Sequence, residues 1–179
     1  VVKPRKHTKS GLKVLRLIAN LIPWNSIQEV IVGDNEMLSG ACGWLSIVIM
    51  EGEVALFNGD DLVCSFFLFE MEEAWLPFFV LGGPMDGKHF GLAAGTQVWL
   101  AIAVIPMGWC SATGAMENMH RAMLYARSAR VQHLSLGDCE LRKDRGFPMG
   151  LNDQQRYLWH IYIDDLNQIR LLCKAAYLK

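Results

Sequence analysis

Tyr157-Leu158-Trp159-His160-Ile161-Tyr162-Ile163-Asp164-Asp165-Leu166-Asn167-Gln168-Ile169-Arg170-Leu171-Leu172 is the stretch whose reading decides the fold. Two short apolar runs, Tyr157 to Tyr162 and Leu166 to Leu172, flank an acidic dipeptide. That pattern predicts two strands joined by a tight turn. A turn needs only one Asp or Asn, and two adjacent carboxylates repel each other. A bound divalent cation would offset the repulsion. A plain solvent-facing turn is the alternative.

Working outward, Glu53 to Phe57 reads as a strand that enters Asn58-Gly59-Asp60-Asp61, with the aromatic run Phe66 to Phe69 following. Asp61 closes that strand, and a turn or N-cap aspartate is the bland account of it. Asp60 stands ready for the same role. Gln97 to Ile105 reads as a buried strand, and Pro106 to Trp109 as the turn after it. Ala112, Ala115, Met116, Met119, Met123 and Ala126 then recur at helical spacing, predicting a helix that ends near Arg130. The small residues Ser111 to Gly114 open this helix and would let it approach a flat ligand closely. An ordinary strand–turn–helix connection is the alternative. Residues 131–156 are polar and read as a surface insertion. Lys13 to Ala19 reads as a strand stopped by Pro23, and Cys42 to Met50 fits helix or strand equally. The fold class is α+β.

Composition narrows the function. The hydrophobic fraction is 52% and mean hydropathy is +0.20, high enough to raise a membrane reading. The uncharged stretch from His89 to Met116 has only Val98 to Ile105 as its apolar part, far short of the roughly 20 residues of a spanning helix. No membrane partner is expected, no signal peptide is evident, and the chain reads as intracellular, in cytoplasm or nucleus. The five cysteines are scattered with no zinc-like spacing, which predicts reduced thiols and no structural zinc. Net charge is −1, but it is unevenly spread. The first 28 residues hold Lys3, Arg5, Lys6, Lys9, Lys13 and Arg16 and no acid. Leu17 to Gly87 holds eleven acids and no Lys or Arg, and from Lys88 onward eleven bases outnumber seven acids. A basic arm can hold phosphates, and a carboxylate-rich middle can hold cations.

Three of these features resemble, in chain order, the palm motifs of reverse transcriptases from divergent eukaryotic retroelements. Asp61 followed five residues later by Phe66 is similar to the first motif, a spacing that Asp60 does not meet. Pro106-Met107-Gly108-Trp109 before a helix is similar to the second, and Tyr162-Ile163-Asp164-Asp165 to the third. Upstream, Leu15 to Asn25 resembles the fingers motif. The resemblance spans roughly residues 9 to 172. It departs from the family at Met107, where a Gln is common, and at Ile22, where a basic or polar residue is frequent.

The resemblance implies a polymerase palm, a ferredoxin-like antiparallel sheet with packed helices, plus part of the fingers. Residues 1–40 would be the partial fingers segment and 41–179 the palm, with thumb and RNase H absent. It implies RNA-directed DNA polymerase activity by two-metal nucleotidyl transfer from a deoxynucleoside triphosphate to a primer 3′-hydroxyl. Asp61, Asp164 and Asp165 would be catalytic. The same three carboxylates with the Leu62 carbonyl would hold two Mg²⁺ ions, with Mn²⁺ as a substitute. Lys9 and Arg16 would contact the triphosphate, and Phe66 would stand beneath the sugar. Met107, Gly108 and Tyr162 would complete the substrate contacts. The partners would be an RNA or DNA template with its primer and the deoxynucleotides. An inactive retroelement remnant, or a fragment that keeps only nucleic-acid binding, is the alternative.

Overall fold

The structure is a computed structural model, described here for residues 18–38, 41–128, 136–148 and 156–177. Its regular elements are α1 (Ile22–Asn25), α2 (Ala41–Leu45), β1 (Glu53–Asp61), β2 (Met85–Asp86), β3 (Gln97–Val98), α3 (Ala112–Ser128), β4 (Arg156–Tyr162), β5 (Asp165–Cys173) and α4 (Lys174–Tyr177), joined by short 3-10 turns. The class is α+β with antiparallel sheets. Among the described residues no helix is long and apolar enough to cross a membrane.

The described chain forms two compact units. One draws on the residues within Val1–Glu29 and Cys64–Ala112, the other on Val30–Val63 and Thr113–Lys179. The second holds a three-stranded sheet in the order β1–β5–β4, with the central β5 antiparallel to both neighbours. The β4–β5 hairpin follows the sequence pattern, and Tyr162 pairs with Asp165 to close a two-residue turn. Leu158, Trp159, His160 and Ile161 are all buried, so both faces of β4 are covered. On one face Leu158, Ile169, Leu171 and Leu141 form the core, with Trp44 of α2 and Ile47 packed against it. On the other, Trp159 meets Tyr125 of α3 edge to face, ring centroids 6.0 Å apart. Each large apolar side chain buried this way contributes about 1.5–3 kcal/mol, which fixes the hairpin's register on its inner faces.

β1 extends the expected Glu53–Phe57 strand through Asn58-Gly59-Asp60 and ends on Asp61, pairing Asn58 with Gln168 and Gly59 with Asn167. Nine consecutive pairings with β5 carry it through Asn58-Gly59 against the local turn preference of that dipeptide. The strand is also largely exposed, Phe57 at 65%, and is not apolar-buried.

α3 begins after the Pro106–Trp109 turn and runs to Ser128, as its periodicity predicts. Gly114, one of the small residues that open it, lies against backbone: a Cβ there would overlap the Val32 carbonyl oxygen and sit 3.0 Å from the Val32 carbonyl carbon. The polar stretch 131–156 is not wholly superficial. Glu140 and Leu141 are buried, Glu140 bridges to Trp159, and the Leu141 N–H donates to the Trp159 carbonyl at 2.8 Å.

In the first unit, Phe79, Ile105 and Trp109 are buried, with Phe79 and Trp109 edge to face at 5.4 Å. The run Gln97 to Ile105 is not one buried strand. Only Gln97 and Val98 pair with β2, Ala101 and Val104 make isolated bridges, and Trp99 is exposed. Beyond Val98 the run bonds an irregular partner segment instead of a strand, with the Ile102 N–H donating to the Phe79 carbonyl at 3.0 Å and the Ile105 N–H to the Phe69 carbonyl at 3.3 Å. Ile18 and Ala19 are not in a strand, and the rest of the expected Lys13–Ala19 strand lies outside the described residues. Pro23 does not stop an element but sits in the first turn of α1, where its missing N–H costs nothing. The stretch from Cys42 resolves as helix up to Leu45.

Candidate functional site

The site grows from the β4–β5 turn. Two-residue hairpins need a positive φ at the first central position, where glycine is favoured. Here that position is Ile163, with φ +61°. A β-branched residue in the left-handed region costs on the order of 1–3 kcal/mol. The turn is thus strained, and it is held from outside. The Leu62 N–H, just beyond β1, donates to the Asp164 carbonyl at 3.1 Å. His120 of α3 bonds the Ile163 carbonyl through Nδ1 at 3.2 Å. Because a carbonyl only accepts, that nitrogen carries the proton.

Register then brings the acids together. Asp61, the last residue of β1, pairs directly with Asp165, the first of β5. Asp164 occupies the turn between β4 and β5. One carboxylate oxygen from each of Asp61, Asp164 and Asp165 lies within 4.8 Å of the other two, with Asp61 and Asp165 exposed and Asp164 half-buried. Like charges directly across a ladder destabilise it. Asp165 is correspondingly pushed above the usual carboxylate range, first by partial burial and then by Asp164 and Asp61, with His120 opposing. Three hard oxygen donors converging at this spacing could hold a metal ion. Asp60 points to the opposite face, as strand alternation requires. It accepts from Asn58 Nδ2 at 3.1 Å and Gln168 Nε2 at 3.3 Å, and Tyr157 in turn donates to Gln168 at 2.8 Å.

No model of a known protein family matches this chain, and no curated protein does.

The other expected site residues fall in three places. Tyr162 is half-exposed across from Asp165, and the Leu62 backbone is tied to the turn through its N–H. Phe66, Met107 and Gly108 belong to the first unit. Phe66 is half-buried in a 3-10 turn that follows Cys64 at φ +57°. Gly108 has φ +101°, and a Cβ there would lie 3.4 Å from the Ala19 carbonyl, so glycine suits this turn. Asn25 clamps it, donating to the Gly108 carbonyl at 2.7 Å and accepting from the Cys110 N–H at 3.0 Å. Trp109 next to it donates its indole N–H to Gln28 at 2.6 Å. Lys9 and Arg16 lie outside the described residues.

Two features escaped the sequence reading. His120 was one of five scattered histidines, yet it is buried against the acidic turn. Burial holds its pKa below the usual imidazole value, against the opposing pull of the Ile163 hydrogen bond and the Asp164 charge. The second is a buried ionic network behind the hairpin. Glu140 accepts from Arg121 Nε at 2.6 Å and from the Tyr125 hydroxyl at 2.7 Å, and Arg121 also lies 3.7 Å from Glu117 one turn earlier on α3. The one signal available in sequence was the i, i+4 spacing of Glu117 and Arg121.

Proposed function

We propose that this chain is the fingers-and-palm portion of a reverse transcriptase, an RNA-directed DNA polymerase that acts inside the cell, in cytoplasm or nucleus, on a primed RNA or DNA template. The observation that carries the reading is the convergence of Asp61 with Asp164 and Asp165, residues from distant parts of the chain, at the open end of an antiparallel sheet. A solvent-facing turn has no need to recruit a third carboxylate from another strand. The order of the three motifs along the sequence supplies the family.

In this reading Asp61 and Asp164, assisted by Asp165, would hold two Mg²⁺ ions. Those ions would neutralise phosphate charge and activate the primer hydroxyl when bound. The chain's own residues do the positioning. β1 and β5 fix two carboxylates at one register position, and the strained turn presents the third. Asn25 and Gly108 shape the turn before α3, where the resemblance places nucleotide or template contacts. Phe66 excludes a ribose 2′-hydroxyl, and Lys9 and Arg16 take the triphosphate. Phosphoryl transfer asks for alignment and charge neutralisation and little else, so these positioning roles are the whole of the protein's task. Primer extension on an RNA template, with Asp164→Asn as the control, tests the reading. Phe66→Ala with undiminished rejection of ribonucleotides would remove the sugar gate alone.

A further inference from the structure

The acidic turn is built from a residue unsuited to it. Ile163 adopts φ +61°, a conformation glycine takes freely and a β-branched side chain resists. Such a backbone persists only where its surroundings over-determine it. Two consecutive turn carbonyls are each taken by a donor from another element. The Asp164 carbonyl accepts from the Leu62 N–H at 3.1 Å, and the Ile163 carbonyl accepts from His120 Nδ1 at 3.2 Å. The first bond extends the β1–β5 ladder by one step and follows from pairing. The second does not follow from the sheet. It is made by a buried side chain, 4% exposed, on the helix that packs behind the hairpin.

We propose that His120 is a positioning residue for the acidic site: its Nδ1–H holds the Ile163 carbonyl and thereby fixes the turn in which the carboxylates of Asp164 and Asp165 reach that of Asp61. The inference rests on the metal-binding reading above and adds to it a residue that touches none of the ligands' carboxylates. Its chemistry is specific. A donor must sit where Nδ1 sits, and the imidazole must be the Nδ1–H tautomer, because the opposite tautomer would set a lone pair against the carbonyl. Asn can place an amide N–H close to the position of Nδ1, whereas Leu fills the space and donates nothing. Residues that orient metal ligands without touching the metal typically contribute 10- to 100-fold in affinity.

The test is Mn²⁺ binding to the full chain, followed by the electron-paramagnetic signal of the free ion, for wild type, Asp164→Asn, His120→Leu and His120→Asn. Folding of each is checked by circular dichroism. The expected result is binding in wild type that Asp164→Asn abolishes, a loss of about tenfold or more in His120→Leu, and affinity close to wild type in His120→Asn. Wild-type affinity in folded His120→Leu would overturn the role of His120 and leave the metal site standing. So would a His120→Asn protein that folds but binds Mn²⁺ tenfold more weakly, an arm that holds even where the apolar variant fails to fold. Absence of any Asp164-dependent binding in wild type would instead remove the metal-binding reading, and this inference with it.

Discussion

Asp61 and Asp165 face each other across the β1–β5 ladder, the last residue of one strand paired with the first of the next. Sheets ordinarily avoid like charges at directly opposed positions, because they weaken the pairing they sit on. Here the pair is joined by Asp164 at the same end, so the strand ends meet where repulsion is greatest. A bound cation would relieve that repulsion.

The first expected outcome follows from that cost. Without divalent ions at low salt, Asp61→Asn raises the stability of the chain by a few tenths to about 1 kcal/mol, and the gain shrinks as ionic strength screens the pair. Addition of Mn²⁺ reverses the ranking, since wild type gains stability by mass action and the variant does not. Urea denaturation with and without the ion measures both effects.

Stability should fall on mild acidification, and His160 is a principal cause. It is buried in β4, accepts the Trp44 indole N–H on Nε2 at 3.0 Å, and stands edge to face with that ring at 4.9 Å. Burial lowers its pKa from 6.5, with Glu140 opposing. The folded state therefore resists a proton that the unfolded chain accepts. The contribution of neutral His160 is complete above about pH 6.5 and is lost as pH drops below that value toward the lowered folded pKa. His120 acts in the same direction. Asp165, whose folded pKa is raised, works oppositely in stronger acid, since its protonation relieves the acidic site. His160→Gln, which keeps an acceptor for Trp44, should flatten the profile between about pH 6.5 and 5. Thermal denaturation across that range measures it.

Glu140 is the carboxylate that both Arg121 and Tyr125 bond inside the protein, and all three pack behind the hairpin. Glu140→Ala is expected to destabilise the fold by about 3–5 kcal/mol, and Glu140→Gln by less. Tyr125 supplies a local reporter. Burial first, and then the bond to Glu140, raise its pKa to about 12. A spectrophotometric titration of Glu140→Gln should show that phenol ionising at lower pH, while loss of the fold would release every tyrosine together.

The hairpin and α3 were legible because each carries its own period, alternating apolar residues around an acidic dipeptide in one and a 3.6-residue apolar stripe in the other. Asp61 was legible as the end of the strand that starts at Glu53, while its direct pairing with Asp165 shows only in the register with β5. The apolar run before Pro106 suggested burial that its short pairings do not provide. Glu140 was hidden in a polar stretch, since its partners Arg121 and Tyr125 lie on a helix that sequence spacing cannot connect to it. Of the acidic site, the aspartates were visible as motif residues. The bond from His120 was not, because a lone histidine carries no signature of the carbonyl it will meet.

Primer extension on an RNA template with Mg²⁺ or Mn²⁺, comparing the chain with its Asp164→Asn variant, tests the central claim most directly. The expected result is template-directed incorporation of deoxynucleotides by wild type that disappears in the variant. Incorporation by Asp164→Asn at the wild-type rate would contradict the assignment of the acidic site as the catalytic centre.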